Sequence, residues 1–393
     1  MCLELLKFTS CHWTIAFALL CVLLAPASAA AQANKRAEQL ERTAGLIAAN
    51  RLAEAEQQLN EILKLAPNEA TALNLFGALR AKQGKLDEAE ALFSRAIRSD
   101  NTLTGAHMNL AYLYLLKGAP DKTALELKEV LRLEPSNAEA AYRLAWLLLS
   151  QGRIDECIAF IENMKGTLAA SAPLLGVLGD AYLRRGERGA GVSALKRAIE
   201  LKPDDATYHF ALGAAWLKHP PDLQEAEQSF RQFLKLRNED ATGQLYLGYV
   251  LLKQKQYGEA RALLEQSIRK GKATPEAFYY LGLIAQGQNE DARAVELFEK
   301  AIQLAPGFAH VHIALGATYL KLKDYQRAQQ ALETGAKLSP EDAKAHYNLA
   351  MLYARLKNPE RAQAEMRIVE RLKNEGKAQT DENDILAPTP PQR

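Results

Sequence analysis

The 393-residue sequence encodes an all-α fold, a solenoid of about ten helix-turn-helix units with a 34-residue period. The segments LDEAEALFSRAIRSDN (86–101), EDARAVELFEKAIQLAP (290–306) and YQRAQQALETGAKLSP (325–340) share one pattern. A small residue is followed four positions later by an apolar one, three after that by a second small one, and five beyond by a turn residue. Those turn slots fall at Pro67, Asn101, Pro135, Ala169, Pro203, Asn238, Lys272, Pro306, Pro340 and Asn374, with a step of 34 everywhere except one step of 35. Within each unit the spacing predicts two helices. The first carries an apolar-small pair: Phe76-Gly77, Leu110-Ala111, Leu144-Ala145, Leu178-Gly179, Leu212-Gly213, Leu247-Gly248, Leu281-Gly282, Leu315-Gly316 and Leu349-Ala350. The second holds a small residue at Ala55, Ala89, Thr123, Cys157, Gly191, Ala226, Ala260, Ala294, Ala328 and Ala362. Small residues let helices approach closely, and Gly84, Gly118, Gly152 and Gly186 supply permissive turns between the two helices.

In chain order, residues 1–31 come first and stand outside the repeat. Lys7, an apolar run from Trp13 to Leu24, Pro26 and the small stretch Ala27-Ser28-Ala29-Ala30-Ala31 form the pattern of a secretory signal peptide, cut near Ala29 or Ala31. The run is short for a membrane span, so no integral span is expected after cleavage, and the expected location is periplasmic or secreted. Ten units follow over 36–374: 36–69, 70–103, 104–137, 138–171, 172–205, 206–240, 241–274, 275–308, 309–342 and 343–374. The first has Arg42-Thr43 where others have the apolar-small pair, and a polar first helix suits a terminal cap. The unit at 206–240 takes its extra residue near Lys218-His219-Pro220-Pro221-Asp222. Basic turns end two others, at Met164-Lys165-Gly166-Thr167 and Arg269-Lys270-Gly271-Lys272; such runs are normally solvated, with recognition loops the alternative. Residues 375–393 are polar and Pro-rich, a disordered tail by composition, which leaves Met366, Val369 and Leu372 to pack on the preceding unit or stay partly open.

Composition excludes several classes. The chain is 48% hydrophobic and 24% charged, with 49 basic against 47 acidic residues, so its net charge of +2 offers no field for nucleic acid or an anionic membrane. Three of four cysteines lie in the leader, and Cys157 alone permits no intramolecular disulfide.

The apolar-small pair on helix A, the small slot on helix B and Pro at the exit together resemble the tetratricopeptide repeat family over about 36–374. The resemblance implies a right-handed superhelix with helix A lining the concave side. It also implies that the slots three before and one after the Gly/Ala position point into a partner-binding groove. Here those slots include Asn74, Met108, Tyr112, Tyr142, Trp146, Asp180, Phe210, Tyr249, Tyr279, Leu283, Tyr347 and Met351. Tyr112, Tyr142 and Trp146 cluster in adjacent units. Rigid rings on a concave face supply contact area at low entropy cost, and an apolar or aromatic segment of another protein is the expected ligand. The family's carboxylate clamp has only a partial counterpart in Lys344 and Asn348, and its asparagine ladder only Asn109 and Asn348. In place of the family's early helix-A Trp stand His107, His209, His312 and His346, expected as core fillers with a hydrogen-bonding edge. His310-x-His312 points its rings to different faces, so no metal site is expected.

No phosphate-binding glycine loop, nucleophile elbow or zinc-protease helix occurs in the sequence. Cys157 occupies a small slot, where a buried hydrophobe is expected. No catalytic residue and no cofactor are therefore expected. The expected function is an exported scaffold or adaptor, with envelope, pilus or secretion-system assembly as the setting suggested by the resemblance. A docking or regulatory subunit of an enzyme complex, and a glycan- or polymer-binding factor stacking on Tyr112, Tyr142 and Trp146, remain alternatives. The oligomeric state is open.

Overall fold

The computed structural model describes residues 34–164, 171–218 and 220–375, and every regular element among them is an α-helix. The expected leader 1–31, the tail after Glu375 and most of the basic turn at 164–167 lie outside the described residues. The chain divides into two units, up to Arg153 and from Ile154 onward. The first contains α1 (34–48), α2 (Leu52–Leu65), α3 (Ala70–Lys82), α4 (Leu86–Ser99), α5 (Thr104–Leu116), α6 (Pro120–Leu133) and α7 (Ala138–Ser150). The second begins with α8 (Ile154–Glu162), α9 (Ala172–Arg185), α10 (Arg188–Leu201), α11 (Ala206–Trp216), α12 (Leu223–Leu236) and α13 (Ala241–Lys253). It continues through α14 (Tyr257–Arg269), α15 (Pro275–Gly287), α16 (Asp291–Leu304), α17 (Ala309–Lys321), α18 (Tyr325–Leu338), α19 (Ala343–Arg355) and α20 (Pro359–Asn374).

Helix starts follow from local chemistry. The side chains of Asn137, Asp205, Asp240, Thr274 and Asp342 accept backbone N–H bonds at the starts of α7, α11, α13, α15 and α19. Pro120, Pro275 and Pro359 sit in first turns, where a missing N–H costs nothing. The turn from helix A to helix B needs a left-handed residue. Gly84, Gly118, Gly152 and Gly186 take that conformation, and so do Asn50, Lys255, Asn289, Lys323 and Lys357 in other units. The glycine signal therefore fades in later units while the turn geometry persists, because one αL residue costs only about 1–2 kcal/mol. The unit with the extra residue shortens α11 and spans 217–222, closed by Asp222 N–H donating to the Trp216 carbonyl at 2.8 Å.

Packing explains the small slots. The helix-A glycine is a seat for a large helix-B side chain of the same hairpin. Added Cβ atoms at Gly213 and Gly248 would lie 2.8 Å from Phe230 and Leu264, and Phe93 and Phe298 seat in the same way on Gly77 and Gly282. The helix-B slot is likewise closed: Ala55, Ala89, Cys157, Ala226, Ala260, Ala294 and Ala328 are fully buried. In the second unit one apolar core runs without interruption from α11 to α19, with Phe210, Phe230, Phe233 and Tyr246 packed edge-to-face or tilted at 5.0–5.5 Å. Thr43, in the first unit's small slot, is also buried, and its hydroxyl donates to the Gln39 carbonyl at 2.7 Å.

The helix-A histidines hold the turns. Nε2 of His209, His312 and His346 lies 2.8–3.0 Å from the carbonyl of the proline six residues earlier, and that of His107 lies 3.3 Å from the Asn101 carbonyl. His107 and His346 also place Nδ1 2.7 Å from Glu126 and Glu365. Each of these two rings thus ties the turn before helix A to helix B of the same hairpin. Lys270 and Lys272 of the basic turn reach back to Glu239 and to the Thr242 hydroxyl. Among the described residues no three His, Cys, Asp or Glu side chains are grouped to hold a metal, and no helix is long and apolar enough to cross a membrane.

Candidate partner-binding groove

Helices α5, α6 and α7 enclose a recess of about 240 Å³ in the first unit. Tyr112, Tyr142 and Trp146 are among its lining residues, Ala111, Leu115, Thr123, Leu127 and Leu147 supply further apolar contact, and Arg143 joins them. The three rings meet because Tyr142 and Trp146 are one turn apart on α7, while Tyr112 projects from the preceding helix A. Trp146 is 48% exposed despite its size. The Arg143 guanidinium lies 4.4 Å from the centre of the Tyr112 ring and pairs with Glu139 at 2.5 Å. Glu139 also accepts the Tyr112 hydroxyl at 3.3 Å, so Tyr112 is fixed from two sides. Burial holds the Tyr112 hydroxyl above its usual range, which keeps it a donor. Arg143 was not marked by the slot periodicity; its signal was the Glu139–Arg143 spacing of four on one helix face.

The remaining expected site residues divide by place. Asn74 accepts a hydrogen bond from the Asn109 amide at 2.9 Å, and Met108 is half-buried on α5. In the second unit, Phe210, Tyr249 and Tyr279 are only 1–3% exposed, and this corrects the expectation that they line an open groove. Each is held in the continuous core: Phe210 against Phe230 and Phe233, Tyr249 against Tyr280, Tyr279 against Phe298 and Phe308. Leu283 packs on the same core. Asp180 is half-buried and paired with Arg184 at 3.0 Å. Tyr347 and Met351, on α19, are exposed.

The recess offers an apolar, ring-lined surface with Arg143 among its lining residues. Its volume lies below the ~300 Å³ at which small-molecule sites usually begin, and it suits one or two side chains of a larger ligand. The Cys157 thiol is pushed up to about 11, first by burial and then by the Asp180 charge, which disfavours the nucleophilic thiolate at neutral pH.

Comparison with known proteins agrees with this architecture. The bovine (Bos taurus) BBSome complex member BBS4 is 25% identical over 224 residues, which is 56% of this chain and 42% of that protein. Human (Homo sapiens) DnaJ homolog subfamily C member 3 is 22% identical over 212 residues, 49% of this chain and 42% of the other. The chain thus spans about two-fifths of the length of these curated relatives. The crystal structure of the APC/C hetero-tetramer Cut9-Hcn1 has the same fold, with a TM-score of 0.51 at 17% identity, covering 86% of this chain and 81% of that one. One model of the tetratricopeptide repeat family matches residues 45–103, 177–241, 221–271, 245–307 and 313–374, and a second matches 114–172 and 283–338. With helix pairs, small slots and turn residues in the family's order over most of its length, the chain belongs to the tetratricopeptide repeat family, whose members bind other proteins.

Proposed function

We propose that this protein is an exported, non-enzymatic scaffold that captures an apolar or aromatic segment of a partner protein in the α5–α7 recess. The exposed Trp146 ring beside Tyr142 and the braced Tyr112 is the observation that carries this reading, because a large ring kept in water on a preformed face is the mark of a binding anchor. The name of the bovine relative, a complex member, supports a role inside an assembly. Export rests on the leader pattern of residues 1–31, and a setting in envelope, pilus or secretion-system assembly follows from export together with the repeat architecture. An accessory role as the docking arm of an enzyme complex uses the same surface.

The test is a double substitution, Tyr142→Ala with Trp146→Ala, followed by affinity capture and crosslinking mass spectrometry. Loss of captured proteins from a folded variant is the expected result. The exposed ring also favours a second reading, stacking on a glycan or polymer. Unchanged protein partners together with lost polysaccharide retention would replace the first reading with the second. For export, the expected finding is an N-terminus just after Ala29 or Ala31 outside the cytosol; protein beginning at Met1 in the cytosol overturns it.

A further inference from the structure

Two of the four helix-A histidines stand between acceptors on both sides. At His107, Nδ1 lies 2.7 Å from Glu126 Oε2 and Nε2 lies 3.3 Å from the Asn101 carbonyl. At His346 the same atoms lie 2.7 Å from Glu365 Oε2 and 3.0 Å from the Pro340 carbonyl. A neutral imidazole owns one N–H, so it donates to one of these oxygens and turns a lone pair on the other. A carbonyl has no proton to give in return. Both contacts are therefore matched only when the pair carries one additional proton, shared along Nδ1···Oε2. The other two histidines have no such need. His209 and His312 reach the carbonyls of Pro203 and Pro306 through Nε2. The helix-B position of Glu126 and Glu365, three after the small slot, holds Ser229 and Ala331 in their hairpins, and a neutral ring satisfies each.

The surroundings leave this proton nowhere else to go. The side chains of His107 and His346 are 8% and 10% exposed, and those of both glutamates 20%, so water gives little relief to a lone pair facing a carboxylate. The other ionisable groups nearby are engaged elsewhere. On the α5–α6 hairpin, Lys122 lies over the Tyr114 ring, Tyr114 and Lys117 bond to Glu90 of α4, Glu134 accepts from Thr104, and Asp100 accepts from Thr102. On the α19–α20 hairpin, Arg361 lies over the Tyr353 ring and Tyr353 donates to Glu333 of α18. Asp342 caps α19 by accepting the Lys344 backbone N–H and faces His310 at 3.9 Å. Among the described residues Glu126 and Glu365 are the carboxylates within 4 Å of the His107 and His346 rings.

We propose that the His107–Glu126 and His346–Glu365 pairs each retain one proton at neutral pH, and that its departure to water as pH rises unfastens the tie between the turn and helix B. The neutral ring then keeps its Nε2–H on the turn carbonyl, while the bare Nδ1 and the carboxylate oxygen repel. A free histidine gives up its second proton near pH 6.5 and the pair keeps it longer, so the tie is complete below about pH 6.5 and weakens above it. The effect is largest at the end hairpin, where Leu372 is the single buried residue of α20, and it is read there as local opening. It is independent of what occupies the α5–α7 recess.

The experiment is nitrogen NMR of the full chain labelled at histidine, at pH 7.5, with Glu126→Gln and Glu365→Gln as variants. A glutamine amide can donate to a bare Nδ1, so each variant keeps the contact and needs no extra proton. An imidazole with the ordinary value of about 6.5 carries both protons in about one molecule in ten at this pH. His107 and His346 are expected to carry both in more than half of the molecules, and each variant is expected to return its own histidine to the single-proton pattern. Single-proton patterns in the unaltered chain overturn the proposal, and so does double protonation that survives the glutamine substitution. The second measurement is amide exchange of α20, taken as the ratio of the unaltered chain to Glu365→Gln at each pH. That ratio is expected to rise at least about fivefold between pH 6 and pH 9. A constant ratio overturns the unfastening.

Discussion

Glycine plays two opposite parts among these helices. At Gly213 the neighbouring ring of Phe230 fills the space a Cβ would need, and Phe230 is itself held by Phe210 at 5.5 Å. Gly213→Ala is expected to lower unfolding stability by about 1–3 kcal/mol, measured by urea denaturation, because a rigid packed ring must shift. Gly258 in α14 has no atom within 4 Å of an added Cβ and an ordinary helical backbone. There Gly258→Ala is expected to stabilise by up to about 1 kcal/mol through helix propensity alone. If both substitutions moved stability in the same direction, the seat-and-ring account of the helix-A slot would fail. Both glycines are equally visible in the sequence. Only Gly213 falls in the periodic slot, and that periodicity made its role legible. Periodicity could not separate Tyr142 from Phe210, which share a register position. One faces an open recess and the other three packed rings, and the difference lies in side chains on neighbouring helices that no local pattern reports.

Between helices, a recurring tyrosine fastens four of the hairpins to the helix B before them. Tyr114, Tyr319 and Tyr353 donate to Glu90, Glu299 and Glu333 on the preceding helix B at 3.0–3.2 Å, and Tyr182 donates to Glu162. A cation lies over each ring on the other side: Lys122, Arg327, Arg361 and Arg185, at 4.6–5.5 Å. Burial, and for Tyr182 first the bond to Glu162, raises these hydroxyls above the ordinary tyrosine value of 10.0. A raised folded value means that the contribution is complete below about pH 10 and is lost as pH climbs through the raised values. Thermal unfolding is therefore expected to hold level up to about pH 9.5 and to fall steeply beyond it. Tyr319→Phe should cost about 1 kcal/mol at neutral pH and flatten part of that alkaline fall. An unchanged alkaline limb in the phenylalanine variant would remove Tyr319 from this account. Beside these fasteners, Arg80–Glu56, Lys117–Asp87 and Lys321–Asp291 tie the end of a helix A to the preceding helix B at 2.7–2.8 Å. Surface pairs of this kind contribute little, and high salt should lower stability only slightly.

Over the whole molecule, stability is a sum of local stacks, and it is unevenly placed. In the second unit the continuous core puts ten buried residues on α13 and seven on α15, against Leu372 alone on α20. Native-state hydrogen exchange is expected to be slowest in α13 and α15 and fastest in α20, with opening that spreads inward from the end. Uniform protection from α11 to α20 would show that the unit unfolds as one. The all-helical class and the hairpin order were legible because a repeated sequence states the same pattern ten times, and random variation cannot hide it. The site was less legible, because a groove is defined by which slots stay open after neighbours pack. The small slot of α8 has a further consequence. Cys157, the one cysteine among the described residues, is fully buried and its thiol is held up to about 11, so a thiol reagent reaches it only when its hairpin opens. The chain thereby carries a built-in clock for that hairpin: the rate at which Cys157 becomes modified, mapped by peptide, reports how often this part of the array breathes while the rest stays folded.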